Sequence, residues 1–282
     1  MIKLIECPRD AMQGIQRFIP TALKAEYLNL LLQVGFDTLD FGSFVSHKAV
    51  PQLSDTAEVL SKLDLSRSKT KLLAIVANIR GAEEACRYSE ISYLGFPLSV
   101  SETFQKRNTN STIGQSLLTV EKIISLCENT GKEAVIYLSM GFGNPYGDPW
   151  NREIVERITN ELHERRVRIV SLSDTTGVSN TEKIGYLFPH LVSSFPKIEF
   201  GLHLHSTPDL SDEKIVSAWE NGCRRFDSAL KGFGGCPMAE DHLTGNIATE
   251  RLISFLNGKK EKLNLNMDKW NEAMAFSGLV FA

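Results

Sequence analysis

Eight short apolar runs, each followed by a segment with helical spacing, constrain this 282-residue chain more than any other feature. The runs are Ile2–Glu6, Thr38–Phe41, Lys71–Val76, Ile91–Phe96, Ala134–Ser139, Val167–Ser171, Ile198–Leu204 and Arg224–Leu230. They are rich in Val, Ile, Leu and Phe, as strands buried on both faces of a parallel sheet should be. The segments between them carry apolar stripes. Leu28, Leu31 and Leu32 share one face of a helix that Thr21 is expected to cap and Gly35 to stop. Val120, Ile123, Ile124 and Cys127 mark another, ended by Gly131. Asp148-Pro149 reads as a helix start, with Asp as cap and Pro in the first turn, ahead of Ile154, Ile158 and Leu162. Asn180, Ser211 and Thr249 open three more.

Eight such units at this length predict a (β/α)₈ barrel, a TIM barrel of the α/β class, spanning residues 1–282 as one catalytic domain. A doubly wound open sheet is the alternative. It would place glycine-rich sequence after the first strand, whereas here that sequence follows the last.

Composition adds exclusions. With 42% apolar and 23% charged residues the chain can build a large core. A net charge of −3 gives no electrostatic case for nucleic acid or an anionic membrane as partner. No apolar run reaches the roughly 18 residues that a membrane helix needs. The start Ile2-Lys3-Leu4-Ile5 leaves no room for a signal or transit peptide. The five cysteines are scattered and form no Cys-x-x-Cys, which fits a reducing cytoplasm.

Polar residues gather after the strands. His203 and His205 stand two apart at the end of the seventh run, so both imidazoles face one side and can share a metal ion. Arg9-Asp10 follows the first run. Asp10 offers a hard oxygen ligand, and Arg9 a fixed cation for a developing oxyanion. Asp40 lies in the second run, where Asp is disfavoured. Asp174-Thr175-Thr176-Gly177 is either a plain turn or a carboxylate offered to the site. Asn246 suits either a helix cap or an oxygen ligand for Mg²⁺ or Mn²⁺. Gly232-Phe233-Gly234-Gly235-Cys236-Pro237 sets a thiol between glycines and a proline, where a loop can carry it over a substrate. Cys86, Cys127 and Cys223 read as small buried hydrophobes, and Cys7 stays open.

These motifs together resemble the 3-hydroxy-3-methylglutaryl-CoA lyase family of the DRE-TIM metallolyases. The resemblance rests on Pro8-Arg9-Asp10-x-x-Gln13, on Ser43-Phe44-Val45-Ser46-x-Lys48-x-Val50-Pro51-Gln52, and on Ser101-Glu102-Thr103-Phe104. It continues through Asp174-Thr175-x-Gly177, His203-x-His205, the glycine-cysteine loop and Gly245-Asn246-x-Ala248-Thr249-Glu250. It implies Asp10, His203, His205 and Asn246 as ligands of a divalent cation, Mg²⁺ or Mn²⁺. It implies Arg9 at the enolate oxygen, Cys236 as proton donor or relay, and Asp40 and Asp174 in the acid–base network. The substrate implied is an acyl-CoA, cleaved by a retro-Claisen reaction to acetoacetate and acetyl-CoA. The expected assembly is a homo-oligomer, a dimer.

The chain departs from the family pattern in places. Ala11-Met12 stands for Gly-Leu, Asp40 for Glu, and the step from Cys236 to Asn246 is one residue longer. Two positions associated with CoA contacts are Gln16 and Ala275, leaving Arg17 or Lys48 to supply positive charge. Three rivals remain at this stage. A Claisen condensing synthase normally lacks the glycine-cysteine loop. An amidohydrolase-type zinc barrel carries its His-x-His after the first strand. The third is a non-catalytic metal- or acyl-CoA-binding protein.

Overall fold

The structure is a computed structural model that describes residues 1–235 and 244–282. Its strands are β1 (Lys3–Glu6), β2 (Thr38–Ser43), β3 (Lys71–Ile75), β4 (Ile91–Ser99), β5 (Glu133–Ser139), β6 (Ile169–Asp174), β7 (Glu199–Ser206) and β8 (Arg225–Ser228). Each pairs in parallel with the next in sequence, and β8 closes on β1. The fold is therefore a closed (β/α)₈ barrel, as the eight apolar runs predict. A two-residue strand, β9 (Gly245–Asn246), runs antiparallel to the end of β7 and sets Asn246 opposite His205.

The helices are α1 (Pro8–Gln13), α2 (Thr21–Val34), α3 (Thr56–Leu60), α4 (Ile79–Cys86), α5 (Glu102–Thr109), α6 (Ile113–Thr130), α7 (Arg152–Glu164), α8 (Thr181–Ser194), α9 (Ser211–Glu220), α10 (Thr249–Gly258) and α11 (Met267–Phe281). Local chemistry explains their ends. Thr112 and Gln115 form a reciprocal capping box at the start of α6. Gly131 ends that helix at φ +68°, where a residue with a Cβ would be strained. Asn180 caps α8 through the Lys183 amide, as expected.

Two expected caps are corrected. Helix α7 starts at Arg152 with Asn151 as its cap, not at Asp148-Pro149. The Asp148 carboxylate instead accepts from Ser101 Oγ, Thr103 N and Thr103 Oγ1, tying the β5–α7 loop to the start of α5. Thr21 is the first residue of α2 and caps nothing. Its hydroxyl donates to Asp55, and Pro20 occupies the cap position.

Two apolar layers form the core. The larger lies between strands and helices, with Leu28, Leu31, Val120, Ile158, Leu187 and Leu256 among its buried members. The smaller fills the lumen along β3 to β6 with Leu73, Tyr93, Val135, Tyr137 and Ile169. On β8 the buried lumen residues are charged, Arg225 and Asp227. Cys127 and Cys223 are buried as expected, Cys7 joins them, and Cys86 is only partly covered.

Glu6 at the end of β1 is fully buried and joins three elements. Its carboxyl meets the Leu230 amide at 2.7 Å and the Thr249 hydroxyl at 2.6 Å. Burial pushes this acid up to about 8 from an ordinary 4.5, against the pull of those two hydrogen bonds. Its folded value lies above its unfolded value, so the fold holds a proton that the unfolded chain releases. Its contribution is greatest below pH 4.5 and is lost as pH rises through 8, with a slope of at most about 1.4 kcal/mol per unit. Glu6→Gln mimics the protonated form. Its urea midpoint should rise relative to wild type between pH 5.5 and pH 8. Parallel pH curves for the two proteins would refute a neutral buried Glu6.

Candidate metal centre

His203 and His205 lie at the C-terminal end of β7, and the strand's alternation turns both rings to the same side. Their Nε2 atoms are 3.2 Å apart. His205 Nδ1 is 3.1 Å from the main-chain oxygen of Thr175, which can only accept, so Nδ1 carries the proton. His203 Nδ1 lies 3.3 Å from Asp227 Oδ2, which orders that ring in the same way. Two Nε2 atoms then face each other, an arrangement that needs a proton or a cation between their lone pairs. Asp10 supplies a third donor, and one donor atom from each of the three residues lies within 4.8 Å of the others.

Short helix α1 brings Asp10 there, with Pro8 in its first turn. Asp10 Oδ1 accepts from Gln13 Nε2 at 2.7 Å and from Arg9 Nη1 at 3.2 Å. Its Oδ2 accepts from Asn246 Nδ2 at 2.7 Å. The same Asn246 nitrogen donates to the Phe233 carbonyl at 2.9 Å, so both partners are acceptors and the amide orientation is fixed. Its Oδ1 is the atom left to ligate. Two imidazoles and two oxygen donors fit a divalent cation.

Charge at Asp10 and His205 agrees with that fit. Burial alone would raise Asp10, but Arg9, the two histidines and the Asn246 hydrogen bond hold it below the usual carboxylate range. Burial and the neighbouring His203 push His205 down, toward the neutral ligand form. Burial also acts to lower His203, but its bond to Asp227 and the charges of Asp10 and Asp227 leave it raised.

Arg9 is fixed by a fork to Asp40. Nε reaches the two carboxylate oxygens at 3.1 and 2.9 Å, and Nη2 reaches Oδ2 at 2.6 Å. Nη1 donates to Gln13 Oε1 at 2.9 Å as well as to Asp10. Four of the five N–H groups are engaged on these partners, which leaves one on Nη2. Asp40 is fully buried behind Arg9 and does not line the cavity. Burial drives it up to about 6 despite the guanidinium.

The cavity over the histidines has a volume of about 450 Å³. Ser43, Asn108, Ser139, Ser173 and Thr175 give it polar edges near the histidines. Ile15, Phe18, Val45, Val50 and Leu53 make part of its lining apolar. Arg9 is the one Lys or Arg among the described lining residues. Gln16 lines the cavity, Lys48 is exposed, and Ala275 is exposed on α11 and does not line it. Arg17 donates to the main-chain oxygens of Val280 and Ala282.

The structure therefore gathers Arg9, Asp10, His203, His205 and Asn246, with Asp40 one layer behind. It does not bring Asp174 to the cavity. The Asp174 carboxylate accepts from Val178 N, Ser179 N and Ser179 Oγ, and from Lys214 Nζ at 3.1 Å. Lys214, wholly buried, also donates to the His205 and Gly177 carbonyls. The pair braces the end of β7 from behind. Cys236 lies outside the described residues. Sequence reasoning missed Asp227, although an Asp inside a strand is the same signal that singled out Asp40. It also missed Lys214, for which the sequence carries no local sign. A second group of possible ligands, Cys7, His203 and Asp227, is close enough to hold an ion. Burial and then the Asp227 charge push the Cys7 thiol well above its ordinary value, so it stays protonated.

The glycine loop enters and leaves through a tight stem. A Cβ on Gly245 would sit 2.2 Å from the Gly232 carbonyl oxygen. One on Gly234, at φ +100°, would meet Asn246 Nδ2 at 2.7 Å and the Asp10 carbonyl at 3.0 Å.

A parallel barrel with His, Asp and Asn donors at the C-terminal ends of its strands defines a metal-dependent barrel enzyme. Residues 2–276 match the HMGL-like family, and the chain belongs to it. It is 31% identical over 278 residues to the cytoplasmic 3-hydroxy-3-methylglutaryl-CoA lyase of Rattus norvegicus, covering 98% of this chain and 80% of that one. It is 31% identical over 262 residues to the hydroxymethylglutaryl-CoA lyase YngG of Bacillus subtilis, covering 93% and 87%. The structure of an HMG-CoA lyase from Acinetobacter baumannii in complex with coenzyme A and 3-methylmalate superposes with a TM-score of 0.92 at 27% identity, over 100% of this chain and 91% of that one. The Pseudomonas aeruginosa hydroxymethylglutaryl-CoA lyase gives 0.91 at 29% identity, over 100% and 93%.

Proposed function

We propose that this protein cleaves 3-hydroxy-3-methylglutaryl-CoA to acetoacetate and acetyl-CoA, using Mg²⁺ or Mn²⁺. The observation that carries this reading is the pair of Nε2 atoms 3.2 Å apart, with Asp10 beside them, in a lyase-family barrel. Asp10, His203, His205 and Asn246 would hold the ion. When bound it supplies a Lewis acid that lowers the pKa of the substrate's tertiary hydroxyl. Oxygen donors without a cysteine pair favour Mg²⁺ or Mn²⁺ over a closed structural Zn²⁺.

The chain's own residues do the rest. A base takes up the hydroxyl proton, the neighbouring carbon–carbon bond breaks to leave the ketone of acetoacetate, and its electron pair becomes the thioester enolate. The free N–H on Arg9 Nη2 meets the enolate oxygen, and Asp40 holds the guanidinium so that it need not reorganise. Cys236 returns a proton to the enolate carbon. Asn108, Ser139 and Ser173 are neutral donors for the substrate carboxylate. The apolar lining receives the thioester arm, with exposed Lys48 available for the phosphates. The protein acts as a dimer in the cytoplasm. The cytoplasmic form of the rat relative supports that location.

Protein stripped with a chelator should be inactive, and should regain acetoacetate and acetyl-CoA formation with Mg²⁺ or Mn²⁺. Gln16 in the cavity lining favours a second reading, in which a related 3-hydroxyacyl-CoA is the better substrate. A panel of such thioesters separates the two. No cleavage of any of them by metal-loaded protein would reject both.

A further inference from the structure

In Gly232-Phe233-Gly234-Gly235 one residue alone has a side chain. Gly232, Gly234 and Gly235 adopt φ values of +68°, +100° and +142°, which favour glycine, so Phe233 is the one residue here that can be anchored through a side chain. The Phe233 carbonyl nevertheless has a specific task. It accepts from Asn246 Nδ2 at 2.9 Å and, with Asp10 Oδ2, fixes which end of that amide faces the histidines. Without it Asp10 Oδ2 alone holds that end, and the amide turns more readily to present NH₂, which cannot ligate a cation.

What holds Phe233 lies on the last turn of α11. Its ring stacks on Phe281, centroids 4.4 Å apart and planes 18° from parallel. Phe281 in turn meets the edge of Tyr27 on α2, 5.8 Å away, and Tyr27 is buried. Arg17, next to the cavity residues Gln16 and Phe18, donates to the main-chain oxygens of Val280 and Ala282 and fixes the same turn.

We propose that Phe281 is a positioning residue for the metal centre, acting through the Phe233 stack and carbonyl to hold Asn246 in its ligating orientation. Helix α11 is thus a working part of the site, although it stands outside the barrel and none of its residues lines the cavity. The proposal rests on the metal-centre reading above.

The test is Mn²⁺ titration of chelator-stripped protein, read by electron paramagnetic resonance, with unfolding followed separately. Wild type must bind Mn²⁺; if it does not, the metal-centre reading fails before this one is reached. Phe281→Ala should weaken Mn²⁺ binding roughly 10–100-fold, the range seen when a residue behind a metal ligand is lost. Phe281→Tyr, which keeps the stack, should restore wild-type affinity. Phe276→Ala is the control. Phe276 also stacks on Tyr27, with centroids 6.5 Å apart. Its loss removes the same kind of α11–α2 packing, so it should lower stability and leave Mn²⁺ affinity unchanged. If Phe281→Ala does not fold, Phe233→Leu tests the same stack from the loop side and should show the same loss. Equal Mn²⁺ affinities for wild type and a folded variant without the stack would overturn the proposal. So would equal losses in Phe281→Ala and Phe276→Ala.

Discussion

Replacing Arg9 by methionine is expected to lower kcat by about two to three orders of magnitude, the usual cost of removing an oxyanion donor. KM should change far less, because the interaction strengthens only as charge develops on the thioester oxygen. Arg9 is suited to the role because four of its N–H groups are already committed and one is not. Substitution also strips Asp40 of its counter-charge. That acid is already up to about 6 with Arg9 present, and it would rise further and take up a proton. The variant should therefore fold, less stably, and be assayable. Steady-state kinetics at saturating metal decide the matter. A kcat within a factor of a few of wild type, in folded protein, would remove Arg9 from the chemistry.

The second large effect concerns His205. His205→Ala should bring metal-dependent cleavage below detection and weaken Mn²⁺ binding by more than about 100-fold, beyond what loss of an outer partner causes. The fold should survive, because His205 makes one hydrogen bond through Nδ1, to a carbonyl that water in the cavity can satisfy. Circular dichroism and a thermal melt check the fold, and Mn²⁺ titration checks the site. Wild-type Mn²⁺ affinity in this variant would mean that the facing Nε2 atoms are an ordinary buried pair.

The sequence was most legible where local rules decide structure. Buried runs at regular spacing led to the barrel, and alternation along a strand led to two imidazoles on one side. It was least legible where a side chain's partners lie far along the chain. Asp148 and Pro149 resemble a helix start, yet Asp148 is committed to Ser101 and Thr103, and nothing local in the sequence announces that contact. Asp174 resembles a site acid because it ends a strand before a turn. Its fourth partner, Lys214, comes from a helix forty residues on, and together they turn the carboxylate into a brace. Asp227 shows the reverse. It was passed over inside an apolar run, and it is the residue that orders His203. The role of Cys236 rests on the family resemblance, since that residue lies outside the described structure.

The pairing of β9 with β7 has a consequence for how sequences of this kind can diverge. Asn246 is stitched to His205 by main-chain register, and the stem is closed by Gly245 against Gly232. The ligand's position is thus set on the barrel side of the stem and owes little to how many residues lie beyond it. The register that places Asn246 is made by residues outside the span between Gly235 and Thr244. The extra residue between Cys236 and Asn246 is a length change in that segment. Length changes in that segment are therefore expected to leave the Asn246–His205 pairing in place, which makes the stem the part that natural variation or a designer has to keep.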